Sequence, residues 1–173
     1  AHFLASEVFD NGAATAEEFI GRRIAVADSG ACWRSGPTSH PVFTVDEDMA
    51  GYVDQYVSAV RMMANGGELL AEVAIDISGV TGEVDAAGTA DAVVITPDGE
   101  LQIHDLKYGR GKHVDAIGNR QLRIYALGAA EAYGIAYEFD RVRLVIHQPR
   151  INPGPSEWSL SLSELEEFRG EVI

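Results

Sequence analysis

Residues 88–114 read GTADAVVITPDGELQIHDLKYGRGKHV: two β-rich apolar runs joined by the tight Pro97-Asp98-Gly99 turn, each carrying an acid where packing alone would favour a neutral residue. Successive residues of a strand alternate between its faces. In the second run Asp105 and Lys107 therefore project on the side of Leu101 and Ile103, which the alternation marks as core-facing. In the first run Asp91 follows a Gly-Thr-Ala lead-in and precedes Ala-Val-Val-Ile. Acids and an amine at a core-facing strand end need a reason other than packing, because burying a charge is costly unless it is paired.

Working outward, LLAEVAIDI (69–77) supplies a third β-rich run before this pair, and the three are expected to form adjacent antiparallel strands. Helices are predicted over 1–10, over 15–28 from the capping box Thr15–Glu18, and from Thr44 with Glu47 to the Asn65-Gly66-Gly67 stop. DSGACWRSGPTSHP (28–41) lacks periodicity and reads as an irregular connection. After the pair come a helix over 119–133, a strand RVRLVIHQP (141–149), a shorter one near Trp158, and an amphipathic helix from Ser163 with Glu166 as capping partner. The order ααα-βββ-α-ββ-α predicts an α/β fold of the α+β kind, a mixed sheet flanked by helices, in a single domain over 1–173. The chain opens as AHFLASEVF inside an apolar-periodic helix without a start signal, so native residues are expected before Ala1.

A chain of 173 residues, 46% hydrophobic, can bury a core without disulfide or metal support. Its one cysteine, Cys32, allows no intrachain disulfide and no four-cysteine iron–sulfur cluster. No apolar run is long enough to span a membrane, and a cytoplasmic location is expected. The net charge of −14 excludes a protein that coats nucleic acid through its overall field. The charge is unevenly spread, however. Residues 1–100 hold four Arg and no Lys against 17 acids, whereas residues 105–125 hold Lys107, Arg110, Lys112, Arg120 and Arg123 against Asp105 and Asp115. The basic stretch begins at the Asp-Leu-Lys, which suits a polyanionic substrate; a solvated charged loop is the ordinary alternative.

Two carboxylates on paired strands, with an amine one side-chain repeat away, suit a divalent cation that activates water for attack on a phosphodiester. A bound cation also relieves the repulsion between the acids. A plain Asp105–Lys107 ion pair, with Asp91 in water, fits the same residues. Gln121 and Tyr125, four apart on the next predicted helix, share one of its faces, and a polar pair covering the sheet edge is their simplest reading. Glu72 shares a face with Leu70 and Ala74, as a further acidic ligand or as an edge charge that discourages strand pairing. GRGK (109–112) fails the nucleotide P-loop pattern, with Leu106 and His113 where Gly and Ser or Thr are required.

Gly-x-x-Asp91, Asp105-x-Lys107 and Gln121-x-x-x-Tyr125, in that order, resemble the PD-(D/E)XK nuclease superfamily in its RecB-like exonuclease branch, and the wording GTADAVVI … IHDLKYGRGKHVDAIGNRQLRIYALGA is similar to uncharacterised phage and prophage members. The resemblance implies a restriction-endonuclease-like core. It implies Asp91 and Asp105 as ligands of Mg²⁺ or Mn²⁺, the Leu106 carbonyl as a further ligand, and Lys107 as the catalytic lysine. Gln121 and Tyr125 would support the site and contact the DNA backbone, and Arg110, Lys112, Arg120 and Arg123 are expected to bind nucleic acid. The family histidine on an N-terminal helix has its match in His2 of AHFLA, without the glycine that precedes it in the family pattern. The expected activity is thus a DNA nuclease, in exonuclease form, acting in phage recombination or repair with a possible recombination partner protein. Two alternatives stay open: a nucleic-acid-binding module of this fold without turnover, and a metal-dependent hydrolase of small phosphoesters.

Overall fold

Glu100–Leu106 forms a strand buried at every position, and the larger part of the molecule is built around it. The computed structural model describes residues 1–12 and 15–172, which divide into two units, Ala1–Ser58 and Ala59–Ile173. The elements in chain order are α1 (His2–Asp10), β1 (Arg23–Ala27), β2 (Gly30–Trp33), β3 (Val42–Thr44), α2 (Glu47–Ala64), β4 (Glu68–Asp76), α3 (Ser78–Thr81), β5 (Ala87–Ile95), β6 (Glu100–Leu106), α4 (Arg120–Tyr133), β7 (Arg141–His147), β8 (Ser156–Ser161) and α5 (Leu162–Arg169). No helix among the described residues is long and apolar enough to cross a membrane.

In the first unit β2, β1 and β3 form a three-stranded antiparallel sheet, which replaces the helix expected over 15–28 and the irregular connection after it. The Thr15–Glu18 capping box forms, but it closes only a single 3₁₀ turn, Ala16–Phe19. Gly21 then leaves helical space at φ 86°, and the β-branched Ile24 and Val26 continue as a strand. Ala27 pairs with Gly30 across the two-residue Asp28-Ser29 turn, with Gly30 at φ 118°. The start of α2 also differs from expectation. Asp46, not Thr44, accepts the Met49 N–H, at 2.7 Å.

In the second unit the strand order is β4-β5-β6-β7-β8, antiparallel except for β6 beside β7. The expected mixed sheet is observed, and the parallel pair follows from chain economy: β6 and β7 are joined through α4, the crossover that parallel neighbours need. Asn119 caps α4 by accepting the Leu122 N–H at 3.0 Å. Ser161 with Glu164, two residues earlier than the sequence suggests, forms the capping box of α5. The core joins Val93, Ile95, Leu101, Ile103, Leu144 and Ile146 of the sheet to Leu122, Ala126 and Leu127 of α4 and Leu165 and Phe168 of α5.

Helix α4 lies close on β4 because residue 128 has no side chain. A Cβ there would stand 2.6 Å from both the Asp76 carbonyl oxygen and Ile75 Cγ2. Gly128→Ala gains about 1 kcal/mol of helix propensity, but forcing the helix off the sheet costs on the order of 1–3 kcal/mol. Urea denaturation should therefore show a net loss of stability with an unchanged m-value. A more stable variant would contradict this account of the contact.

Candidate active site at the end of strands β5 and β6

The antiparallel ladder between β5 and β6 runs from Ile95↔Leu101 to Ala92↔His104 and stops. One position further, Asp91 stands opposite Asp105. Instead of a ladder bond, Asp91 Oδ2 accepts the Leu106 N–H at 2.6 Å. The same row continues onto β4, where Ala71↔Ala92 and Val73↔Ala90 flank Glu72, placing Glu72 opposite Asp91. Glu72 is exposed and has φ 49°, a left-handed conformation that costs a non-glycine residue on the order of 1–3 kcal/mol.

The distortion has a counterpart in β5. Ala90 and Val93, three residues apart, both join the core beneath α4, whereas strict alternation would put them on opposite faces. The strand shifts its facing phase at 91–92, and Asp91 is spent sideways on β6. In β6 the alternation holds, so Asp105 follows Leu101 and Ile103 on the core side, as the sequence predicts.

Asp105 is buried, and its two oxygens have different surroundings. Oδ1 accepts from Lys107 Nζ at 2.9 Å, while Oδ2 is buried with no hydrogen-bond partner among the described residues. A buried carboxylate oxygen left unsatisfied is costly, and a second carboxylate in register makes it more so. The half-exposed Lys107 balances one of the two charges. These oxygens fit a divalent cation, which would bind through Asp91 and Asp105 with main-chain oxygen from the Leu106 region. Among the described residues no group of three or more His, Cys, Asp and Glu side chains is gathered as a ready cation cage. Glu72 adjoins the two aspartates in register only, and His2 opens α1 in the first unit with its side chain exposed.

Gln121 and Tyr125 do meet, with Gln121 Nε2 donating to the Tyr125 hydroxyl at 3.2 Å. The Tyr125 ring lies against Gly88, the glycine of the Gly-x-x-Asp stretch. A Cβ on Gly88 would come within 2.6 Å of the Tyr125 hydroxyl oxygen, so the glycine leaves room for the Tyr125 ring in the position it takes against β5. Arg120 and Arg123 occupy a different face of α4. The Arg123 guanidinium lies 3.6 Å from the Phe168 ring centre and Arg120 5.8 Å from it, so Arg123 in particular is committed to the α4–α5 packing. Arg110 and Lys112 are exposed on the loop after β6. That loop is pinned by buried Gln148, which accepts the Val114 N–H at 2.7 Å and donates to the Lys112 carbonyl at 3.2 Å.

The opposite face of β6 holds a feature that sequence reasoning did not find. Glu100, Gln102 and His104 are all buried there, linked in a chain that ends on His147 of β7. Gln102 Nε2 donates to Glu100 Oε1 at 2.7 Å and to the Met63 carbonyl at 3.1 Å, so its oxygen accepts from His104 Nε2–H at 3.0 Å. His104 Nδ1 is then the acceptor and His147 Nε2–H the donor, at 3.0 Å. Arg143 closes the other end by donating to Glu100 at 2.9 Å. The two histidines are 43 residues apart, and their pairing follows only from the parallel β6–β7 register.

Burial holds both rings neutral. It pushes His104 well below the usual histidine range, with the charges of His147 and Arg143 adding to it, and lowers His147 to about 4. Depressed histidine pKa values mean that the unfolded chain takes up protons first. Stability is full above the unfolded value of about 6.5 and falls as pH drops below it. Denaturation midpoints measured from neutral pH down to about 5 should decline with a slope approaching two protons, and His147→Gln, which keeps a donor for His104, should reduce that to about one. A pH-independent midpoint would show that the pair does not stay neutral.

The model of the DUF2800 family, described as a protein of unknown function, matches residues 16–173. A solved structure titled "Crystal structure of SSO0001" is similar at 17% identity over 73% of this chain, with a TM-score of 0.35; the chain spans 61% of that structure's length. A likeness of that degree carries no argument about function. With its match covering all but the first 15 residues, the chain belongs to the DUF2800 family.

Proposed function

We propose that the protein is a Mg²⁺- or Mn²⁺-dependent deoxyribonuclease of the PD-(D/E)XK superfamily, RecB-like in type, working in the cytoplasm. The observation that carries this reading is the in-register Asp91–Asp105 pair, with an unsatisfied buried oxygen on Asp105 and Lys107 ion-paired beside it. Asp91 and Asp105 would hold the cation. When bound, the cation supplies positive charge to the phosphate and lowers the pKa of water. Lys107 orients the attacking water and exchanges its proton, a role open to an ammonium whose pKa is adjustable and closed to guanidinium. Tyr125 and Gln121 offer a hydroxyl and an amide to the substrate backbone, and Arg110 and Lys112 offer cations from the pinned loop. Exonuclease action, recombination or repair as the setting, and a phage partner protein belong to the same proposal. Turnover, and a polymeric rather than small phosphoester substrate, are what the following assays decide.

End-labelled linear DNA and closed circular DNA, each incubated at low salt with Mg²⁺, Mn²⁺ or EDTA, separate the possibilities. Metal-dependent cleavage is expected. Binding without any cleavage would favour the inert binding module, and hydrolysis confined to small phosphoesters would favour the third reading.

Asp91→Asn and Asp105→Asn should each abolish cleavage and remove the Mg²⁺-induced rise in melting temperature, without loss of the fold. Lys107→Arg should keep metal binding and lose at least about two orders of magnitude in rate, the scale of a positioned acid–base group. Near-normal cleavage by Lys107→Arg would remove the proton-transfer role.

A further inference from the structure

Residues 1–100 contain only four arginines, and three of them, Arg22, Arg23 and Arg34, line one open concavity of about 380 Å³ in the first unit, beside Trp33. In a chain of net charge −14, cations have carboxylates in abundance to pair with. Two arginines of the second unit do so: exposed Arg141 reaches Asp98 at 2.8 Å, and half-buried Arg169 reaches Glu131 and Glu166. None of the three arginines of the concavity has a carboxylate within ion-pair distance among the described residues. The Arg34 guanidinium donates instead to the Pro37 carbonyl at 2.9 Å.

Their placement also opposes stability in the absence of a ligand. The β1–β2 register Ile24↔Trp33 continues by one pair, with the Arg34 N–H donating to the Arg23 carbonyl at 2.8 Å, so Arg23 and Arg34 stand directly opposite each other. Like charges in that relation are destabilising. Arg22 is fixed by stacking, its guanidinium 3.7 Å from the Trp33 ring centre. Trp33 itself is held by Phe19 stacked at 5.3 Å, by the edge of Phe3, and by Glu7, which accepts from its indole N–H at 2.7 Å. The result is a partly buried aromatic base carrying one arginine, beside two opposed arginines, with all three arginines exposed.

We propose that this concavity is a phosphate-binding site that takes the backbone of a single-stranded DNA. Guanidinium forks match phosphate oxygens bidentately, and an anion between Arg23 and Arg34 converts their repulsion into attraction for the ligand. A local cluster of cations is also what an acidic chain needs in order to hold a polyanion against its own overall field. The choice of DNA as the source of the phosphates rests on the nuclease reading; the anion site itself rests on the arginines alone.

The test is the anisotropy of a short end-labelled single-stranded DNA, measured in EDTA over a salt series, with the whole chain. Arg22→Gln/Arg23→Gln/Arg34→Gln should weaken binding at least about tenfold and reduce the salt slope by about two, from three lost contacts at about 0.7 each. Arg23→Gln/Arg34→Gln alone should weaken binding while its melting temperature holds or rises, because the opposed charges are gone. Unchanged affinity and slope overturn the proposal, as does a double variant that melts lower and binds normally per folded molecule. If inorganic pyrophosphate displaces the strand at the strand's own concentration, the strand assignment is overturned. A parent protein that binds through these arginines but never cuts supports this site while removing the nuclease reading.

Discussion

Where β5 and β6 part, a carboxylate takes the place of a backbone carbonyl, and that substitution organises the site. Asp91 accepts the Leu106 N–H that a continued ladder would have used, so β6 stays anchored at the point where Asp105 comes into register with Asp91. Two acids are thereby fixed side by side on neighbouring strands, one with a buried oxygen that no described residue satisfies. Natural folds retain such an arrangement at a cost in stability, and a cation is the simplest group that repays it. The left-handed Glu72 across from Asp91 belongs to the same distortion, since β4 must bend where β5 changes phase.

The second support is the way β6 is buried on both faces. One face packs apolar residues against α4; the other is polar and satisfied internally, from Arg143 through Glu100, Gln102 and His104 to His147. A fully satisfied buried network rigidifies the strand that carries it. Asp105 and Lys107 therefore extend from an element pinned on both sides. Gly128 does the corresponding work for α4, letting it approach β4 closely, and Gly88 leaves room for the Tyr125 ring on the strand before Asp91.

Much of this was legible in the sequence. The alternation in ELQIHDLK placed Asp105 on the core side, the Pro-Asp-Gly turn paired its strand with that of Asp91, and the spacing of Gln121 and Tyr125 put them on one helix face where they do bond. Local rules failed where tertiary context decided. The capping box at Thr15 formed, yet Gly21 ended the turn and Ile24 and Val26 went into a sheet. Arg123 looked like a free cation because nothing in its neighbourhood in the chain announces Phe168, 45 residues later. The phase shift at Asp91 and the His104–His147 contact are likewise products of strand register, which periodicity does not encode.

The central claim is that Asp91 and Asp105 hold a divalent cation. Anomalous diffraction from crystals soaked in Mn²⁺ tests it most directly. A single strong peak within oxygen-ligand distance of both carboxylates, at about 2.0–2.6 Å as for hard cations, and lost in Asp105→Asn, is the predicted result. Peaks only elsewhere on the acidic surface, with Asp105 Oδ2 still enclosed by protein, would contradict it.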